Sequence, residues 1–198
     1  MRSLVATAIS LVPEAMQNTI PLSTLGPRIC ILGPSNSGKS TLATAIARKC
    51  DLEPVHLDQL FHEPNTDWVP RPAATFSALH EAAIAGERWV MDGNYSKHMT
   101  RRFERATGII LLNVHTSTSL FRYLRRTLFE RERYGALEGA QDSLKWEMIR
   151  HIAVVTPGNH KRYIKLLEQT ALPTVSLPSV RAINDIYLQW GLQRRCRD

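Results

Sequence analysis

The sequence predicts an α/β protein in three layers, with a five-stranded parallel sheet between two layers of helices. Three observations predict it. Short apolar runs and helical patterns alternate from residue 28 onward, as strands joined by crossover helices do. A complete G-x-x-x-x-G-K-[ST] match, Gly33-Pro34-Ser35-Asn36-Ser37-Gly38-Lys39-Ser40, stands between the first apolar run and the first helical pattern. Aspartates close the second and third apolar runs, at the carboxyl ends of strands, where open parallel sheets bind ligands.

The elements follow in order. Arg28 to Leu32 reads as a buried first strand and residues 39–50 as the first helix. Pro54-Val55-His56-Leu57 reads as a short second strand ending at Asp58. Residues 63–72 hold three prolines and read as a loop. Residues 73–85 predict a helix with Phe76, Leu79, Ala83 and Ile84 on one face, stopped by Gly86. Arg88 to Met91 is a third strand running into Asp92-Gly93-Asn94-Tyr95, and Gly108 to Val114 is a fourth. A helical stretch dense in arginine spans 117–133, residues 134–142 are looser, and helical patterns resume at about 143–153 and 160–169. Pro173 to Leu177 is the fifth strand. Ser179 is placed to cap a last helix that turns Ile183, Ile186, Tyr187 and Trp190 inward.

Length and composition set the frame. The 198 residues suit one domain, or one domain with a lid. Residues 1–26 read as an N-terminal extension, and 27–198 as the P-loop domain with a lid at about 127–160. The apolar run Leu4 to Val12 is too short to span a membrane as a helix. Cys30, Cys50 and Cys196 lack metal-type spacing; Cys30 in the first strand and Cys50 at the end of the first helix read as reduced packing residues, so a cytoplasmic location is expected. The seven histidines show no H-x-x-x-H spacing, and His56, alternating with Val55, reads as a packed strand residue. The net charge of +7 is mostly arginine excess. It suits a triphosphate cleft and nucleic acid equally.

The glycine loop carries the chemistry. Gly33 and Gly38 allow backbone angles and close approaches that a Cβ would block. The loop from Gly33 through Ser35, Asn36, Ser37, Gly38, Lys39, Ser40 and Thr41 can then aim its amides at a phosphate chain, beside a helix N-terminus. Lys39 reaches the terminal phosphates and Ser40 offers a hydroxyl to Mg²⁺, so ATP and Mg²⁺ are the expected cofactors. Asp92 is a second candidate for the Mg²⁺ site; as a turn residue before Gly93 it has a purely local reading too. Asp58 suits proton acceptance from a substrate hydroxyl, and equally suits a helix N-cap.

Arg122 and Arg126 lie four apart on one helix face, where they can place positive charge around a transferring phosphoryl group. Glu130 and Glu132 interleave Arg131 and Arg133, so part of that run suits a salt-bridged surface. Arg101, Arg102 and Arg105 follow the third strand; one or two of them can face an acceptor, the rest being solvated. Trp68 and Arg71 either line the acceptor pocket or cover the core. The basic tail Arg194-Arg195-Cys196-Arg197 reads as solvated.

Taken in order, these features give residues 28 to about 190 a family resemblance. The features are the loop ending Gly38-Lys39-Ser40-Thr41, His56-Leu57-Asp58, Trp68 with Arg71, Trp89-Val90-Met91-Asp92-Gly93-Asn94-Tyr95, and the arginine-rich helix from Leu120 to Arg126. The stretch resembles P-loop kinases of the adenylate kinase type, and most closely the small bacterial proteins labelled "DNA topology modulation" or FlaR-like. The resemblance implies that Asp92 serves a Mg²⁺ site and that Arg122 and Arg126 stand at a lid entrance, one near the adenine. It also implies that residues 176–179 border the adenine. One departure is plain. Adenylate kinases have Phe-Pro-Arg after Asp-Gly, whereas this chain has Asn94-Tyr95-Ser96, without the arginine that grips an AMP phosphate.

Two readings of function result. The first is an ATP-dependent phosphotransferase of the nucleotide or small-molecule kinase type, with an unidentified small acceptor. The second is a nucleotide-binding ATPase or switch with a role linked to nucleic acid and DNA topology. The fourth strand ends Leu112-Asn113-Val114, without the carboxylate that a ring-forming ATPase keeps there.

Overall fold

The computed structural model describes residues 20–129, with side chains to 125, together with 163, 166–167 and 170–194. The expected extension through residue 19 lies outside the described residues. So do the patterns at 134–142 and 143–153, the arginines at 131 and 133, and nearly all of the expected lid.

The sheet has five parallel strands in the order β2-β3-β1-β4-β5. They are β1 (Arg28–Leu32), β2 (Glu53–His56), β3 (Trp89–Asp92), β4 (Gly108–Leu112) and β5 (Thr174–Leu177). The helices are α1 (Lys39–Cys50), α2 (Leu57–Phe61), α3 (Ala73–Ala85), α4 (Met99–Arg105), α5 (Thr116–Phe129) and α6 (Val180–Gln189), with 3₁₀ turns at Leu22–Leu25 and Ser96–His98. Among the described residues the expected order of the five strands stands. β2 is displaced by one residue, so that the chain already turns into α2 at Leu57 and Asp58 lies in that helix.

The apolar runs are continuous because both sheet faces are covered, as parallel sheets require. Period-two alternation splits each strand between two cores. Ile29, Ile31, Val90, Ile110, Leu112, Val175 and Leu177 pack with α1 and α6. Cys30, Leu32, Trp89, Met91, Ile109 and Leu111 pack with Ile84 of α3, Met99 and Phe103 of α4, and Tyr163. The chain therefore moves outward from β1 with its helix on one face, then returns through β3 and β4 on the other. That reversal beside β1 opens the crevice at the carboxyl ends of the strands.

Local signals account for the helix ends. Ser179 Oγ accepts the Ala182 amide at 3.1 Å, the expected N-cap of α6, and Ile183, Ile186, Tyr187 and Trp190 are buried as expected. Residues 20–25 pack on the same core: Leu25 is wholly buried and Trp190 Nε1 donates to the Ile20 carbonyl at 3.2 Å. α3 differs in detail. His80 is fully buried alongside Phe76 and Ile84, while Leu79 and Ala83 are only half-buried.

His80 has a thermodynamic consequence. Neither ring nitrogen has a hydrogen-bond partner among the described residues. Burial, reinforced by Arg102 and His98 and opposed by Glu81, holds its pKa down at about 4. The neutral ring is thus the native form, and the unfolded chain binds the extra proton between about pH 6.5 and 4. Stability from this group is complete above pH 6.5 and is lost as pH falls toward 4. The expected loss is on the order of 2 kcal/mol. Urea unfolding of wild type and His80→Leu across pH 4–7.5 checks it: the variant has the flatter profile.

Candidate active site

The glycine loop is set by backbone geometry. Gly33 leaves β1 at φ +146°, and a Cβ there would stand 2.5 Å from the Leu112 carbonyl oxygen. The end of β4 therefore admits only glycine at this position. Gly38, at φ +98°, turns the chain into α1. Leu42 N bonds to the Gly38 carbonyl at 3.0 Å, so the helix is hydrogen-bonded from its first turn, and the amides before it have no intrahelical acceptor. Ser37 is fully buried in the loop, and its Oγ has no hydrogen-bond partner among the described residues.

Asp92 joins this loop to the sheet. Strand register places it beside Ile31 of β1 on one side and His56 of β2 on the other. Its carboxylate is almost fully buried. Oδ2 accepts from Ser40 Oγ at 2.7 Å, and Oδ1 lies 2.5 Å from His56 Nδ1. A carboxylate only accepts, so Nδ1 carries the proton. His56 is thus a polar partner of the site and not the packed strand residue its sequence context suggests. The signal for it is register, which a single strand does not display.

Asn94 holds the loop from the same turn. Its amide nitrogen donates to the Gly33 carbonyl at 2.9 Å, and its Oδ1 accepts from the Gly33 amide at 3.1 Å. This two-point bond works like one more rung of sheet. The turn is fixed from beneath by Arg102, whose guanidinium donates to the Gly93 carbonyl at 3.0 Å and the Asn94 carbonyl at 2.7 Å. Arg102 is wholly buried, with its pKa lowered by that burial. It is neither an acceptor contact nor solvated. Arg101 and Arg105 pair with Glu81, Glu104 and Glu87 on the surface.

Lys39 Nζ donates to the Pro34 carbonyl at 2.7 Å, across its own loop. Desolvation lowers its pKa, opposed by attraction to Asp92 and then Asp58. The structure therefore brings Lys39, Ser40, Asp92 and Asp58 into one electrostatic neighbourhood. Asp58 is exposed and accepts from Tyr95 Oη at 2.6 Å. Its side chain caps no helix: the N-cap of α2 is His56, which makes no side-chain cap. Burial and the Asp58 carboxylate push the Tyr95 phenol above its usual range, so it stays a donor. Tyr95 adopts φ +35°, costly for a bulky residue. Phe61 and Phe76 hold its ring at centroid distances of 4.9 and 5.1 Å.

The remaining candidates divide. Arg122 is half-buried and donates to the Ser37 carbonyl at 2.9 Å, which places its guanidinium over the loop. Its pKa is lowered by burial and then by the charges of Arg194 and Arg125. Arg194 does not extend freely into solvent: it bonds to Asn184 and stacks over Tyr187 at 4.6 Å. Arg126 lies one turn further along α5, and its side chain is outside the described residues. Arg71 pairs with Glu63 at 2.7 Å and Trp68 meets the His62 ring edge-on, so the proline loop is an ordered hairpin beside Asp58. Among the described residues no group of three or more acidic, histidine or cysteine side chains is placed to hold a metal ion by itself. No helix among them is long and apolar enough to cross a membrane.

The strand order, the all-parallel sheet and the glycine loop between β1 and α1 define a three-layer α/β/α P-loop fold. No protein-family model matches the chain, and no curated protein sequence does. Solved structures with a similar course include a gluconokinase from Sinorhizobium meliloti 1021 (16% identical, 83% of this chain and 98% of that one, TM-score 0.46). They also include shikimate kinases from Aquifex aeolicus vf5 (16%, 83% and 96%, TM-score 0.46) and Bacteroides thetaiotaomicron (19%, 84% and 99%, TM-score 0.47). Likeness at this level carries nothing about substrate.

The Asn94 clamp makes a mutational prediction. Asn94→Leu strips the side-chain partners from both the N–H and the carbonyl of the buried Gly33. The expected cost is about 1–3 kcal/mol in urea unfolding, together with weakened nucleotide binding. The surface control Lys97→Ala leaves both unchanged.

Proposed function

We propose that this chain is an ATP-dependent phosphotransferase acting on a small acceptor. The observation that carries the reading is the convergence at the strand ends. The Ser40 hydroxyl and Asp92 carboxylate meet at 2.7 Å beside Lys39, and Asp58 stands on the neighbouring element within its field. A nucleotide-binding loop facing a second, acid-lined site is what transfer between two bound molecules needs.

The loop residues Gly33, Ser35, Asn36, Ser37, Gly38, Ser40 and Thr41 surround the phosphate chain in this reading. The orphan Ser37 hydroxyl and the unbonded first-turn amides of α1 fit an anion there. The donor set also fits Mg²⁺, because a hydroxyl and a carboxylate oxygen are hard ligands already in contact. Bound there, Mg²⁺ neutralises charge on the phosphate oxygens. Lys39 and Arg122 place positive charge over the loop, with Arg126 one turn on, and they stabilise the moving phosphoryl group. Asp58 takes the proton of the acceptor hydroxyl. Tyr95 holds one of its oxygens, Oδ1, at 2.6 Å, which leaves Oδ2 as the proton acceptor in this reading. The finer kinship with the topology-modulation proteins rests on His56-Leu57-Asp58 and Asp92-Gly93-Asn94-Tyr95, which pack as one unit through the His56–Asp92 and Asp58–Tyr95 contacts. A cytoplasmic site of action follows from dependence on ATP.

Lys39→Ala tests the reading. Its ammonium bonds within its own loop, to the Pro34 carbonyl, so the sheet and its cores keep their contacts and turnover falls about 10²–10³-fold. Product formation across nucleosides, nucleotides and small alcohols is the measurement. Equal ATP consumption by variant and wild type would falsify the assignment. Asp58→Asn lowers kcat while leaving ATP affinity in place, read from single-turnover and calorimetric titrations side by side.

A further inference from the structure

We propose that His56 is a positioning residue for the metal–nucleotide site, fixing which oxygen of Asp92 is offered to the cation. The inference rests on the phosphotransferase reading above insofar as it takes Ser40 and Asp92 as the cation's residues.

Three observations carry it. His56 and Asp92 are register partners on adjacent parallel strands, so their side chains leave the sheet side by side. The His56 Nδ1–H points at Asp92 Oδ1 from 2.5 Å, with both side chains at least nine-tenths buried. The opposite oxygen, Oδ2, is the one that meets Ser40 Oγ. The carboxylate is thereby divided. One oxygen is committed to the sheet and the other faces the loop. A free aspartate at a strand end rotates about its terminal torsion, which is broad and nearly two-fold. An imidazole donor on one oxygen removes that freedom, as partners of ligating carboxylates do elsewhere, and losing such a partner typically costs 10–100-fold in metal affinity or activity. Among the described residues no other group donates to Oδ1.

The alternative is that His56 merely fills space at the sheet edge. A packing role would change stability without changing how metal and nucleotide bind together. The two are separated by calorimetric titration of the full chain with ATP in EDTA and with ATP plus Mn²⁺, giving for each variant the gain in affinity due to metal. His56→Leu keeps much of the volume and removes the donor. His56→Asn keeps an N–H close to the position of Nδ1. The expected result is unchanged ATP affinity in EDTA for both. The metal-dependent gain falls at least tenfold in His56→Leu and recovers in large part in His56→Asn. An unchanged gain in His56→Leu overturns the proposal, and so does equal loss in both variants.

Ser40→Ala and Asp92→Asn are measured alongside. If neither alters the metal-dependent gain, the cation site itself is misplaced and the phosphotransferase reading fails separately. Should His56→Leu not fold, nitrogen chemical shifts of the wild-type imidazole decide the matter without nucleotide. A proton on Nδ1 that moves in Asp92→Asn supports the arrangement, and a proton on Nε2 alone overturns it.

Discussion

The buried carboxylate of Asp92 is the constraint around which the site is built. A charge taken out of water at the end of a central strand is tolerated only where both oxygens are met. Here one is met from β2, by His56, and one from the start of α1, by Ser40. The same two bonds tie three consecutive pieces of the crevice together: the edge strand, the strand next to β1, and the helix that follows the glycine loop. The position of the loop relative to the sheet is therefore set by hydrogen bonds to an ion and not by apolar packing alone.

The turn after Asp92 has to carry unusual backbone to achieve this. Gly93 lies at φ +127° and Tyr95 at φ +35°, and the Gly93 and Asn94 carbonyls would be left unpaired by so abrupt a bend. Arg102 supplies two donors from below, which explains a wholly buried guanidinium in a segment that reads as surface helix. With its carbonyls held, Asn94 is free to use its side chain on Gly33. Tyr95 is turned toward Asp58. One short turn thus orients the loop on one side and the acid on the other. Strain here is offset by buried polar bonds, as is common at sites that bind ligands.

Positive charge is arranged in two ways. On the side of α3 and α4 the arginines are engaged with glutamates or backbone carbonyls. Over the glycine loop, Arg122 is half-buried near Arg125 and Arg194, and burial first, then those two charges, raises the cost of charging it. In the proposed reading, an anion between the loop and α5 would relieve that repulsion.

The elements were legible in the chain because each is a local property. Alternating burial, Ser179 before α6, and glycine on either side of Pro34–Ser37 all follow from nearest neighbours and sterics. The candidate residues Lys39, Ser40, Asp92 and Asp58 were legible for a related reason: the glycine motif and strand ends mark where polar groups must gather. What the sequence by itself determined is a glycine loop of P-loop type on a parallel α/β sheet with acids at the strand ends. The tertiary structure alone decided the partnerships. It placed His56 against Asp92, Asn94 against Gly33, Arg102 beneath the turn and Arg194 near Arg122. Those pairs are separated by 36, 61, 8–9 and 72 positions. Even the nearest pair depends on a backbone bend that no spacing rule encodes. Strand order and register bring such groups together, and both emerge only when the whole sheet is assembled.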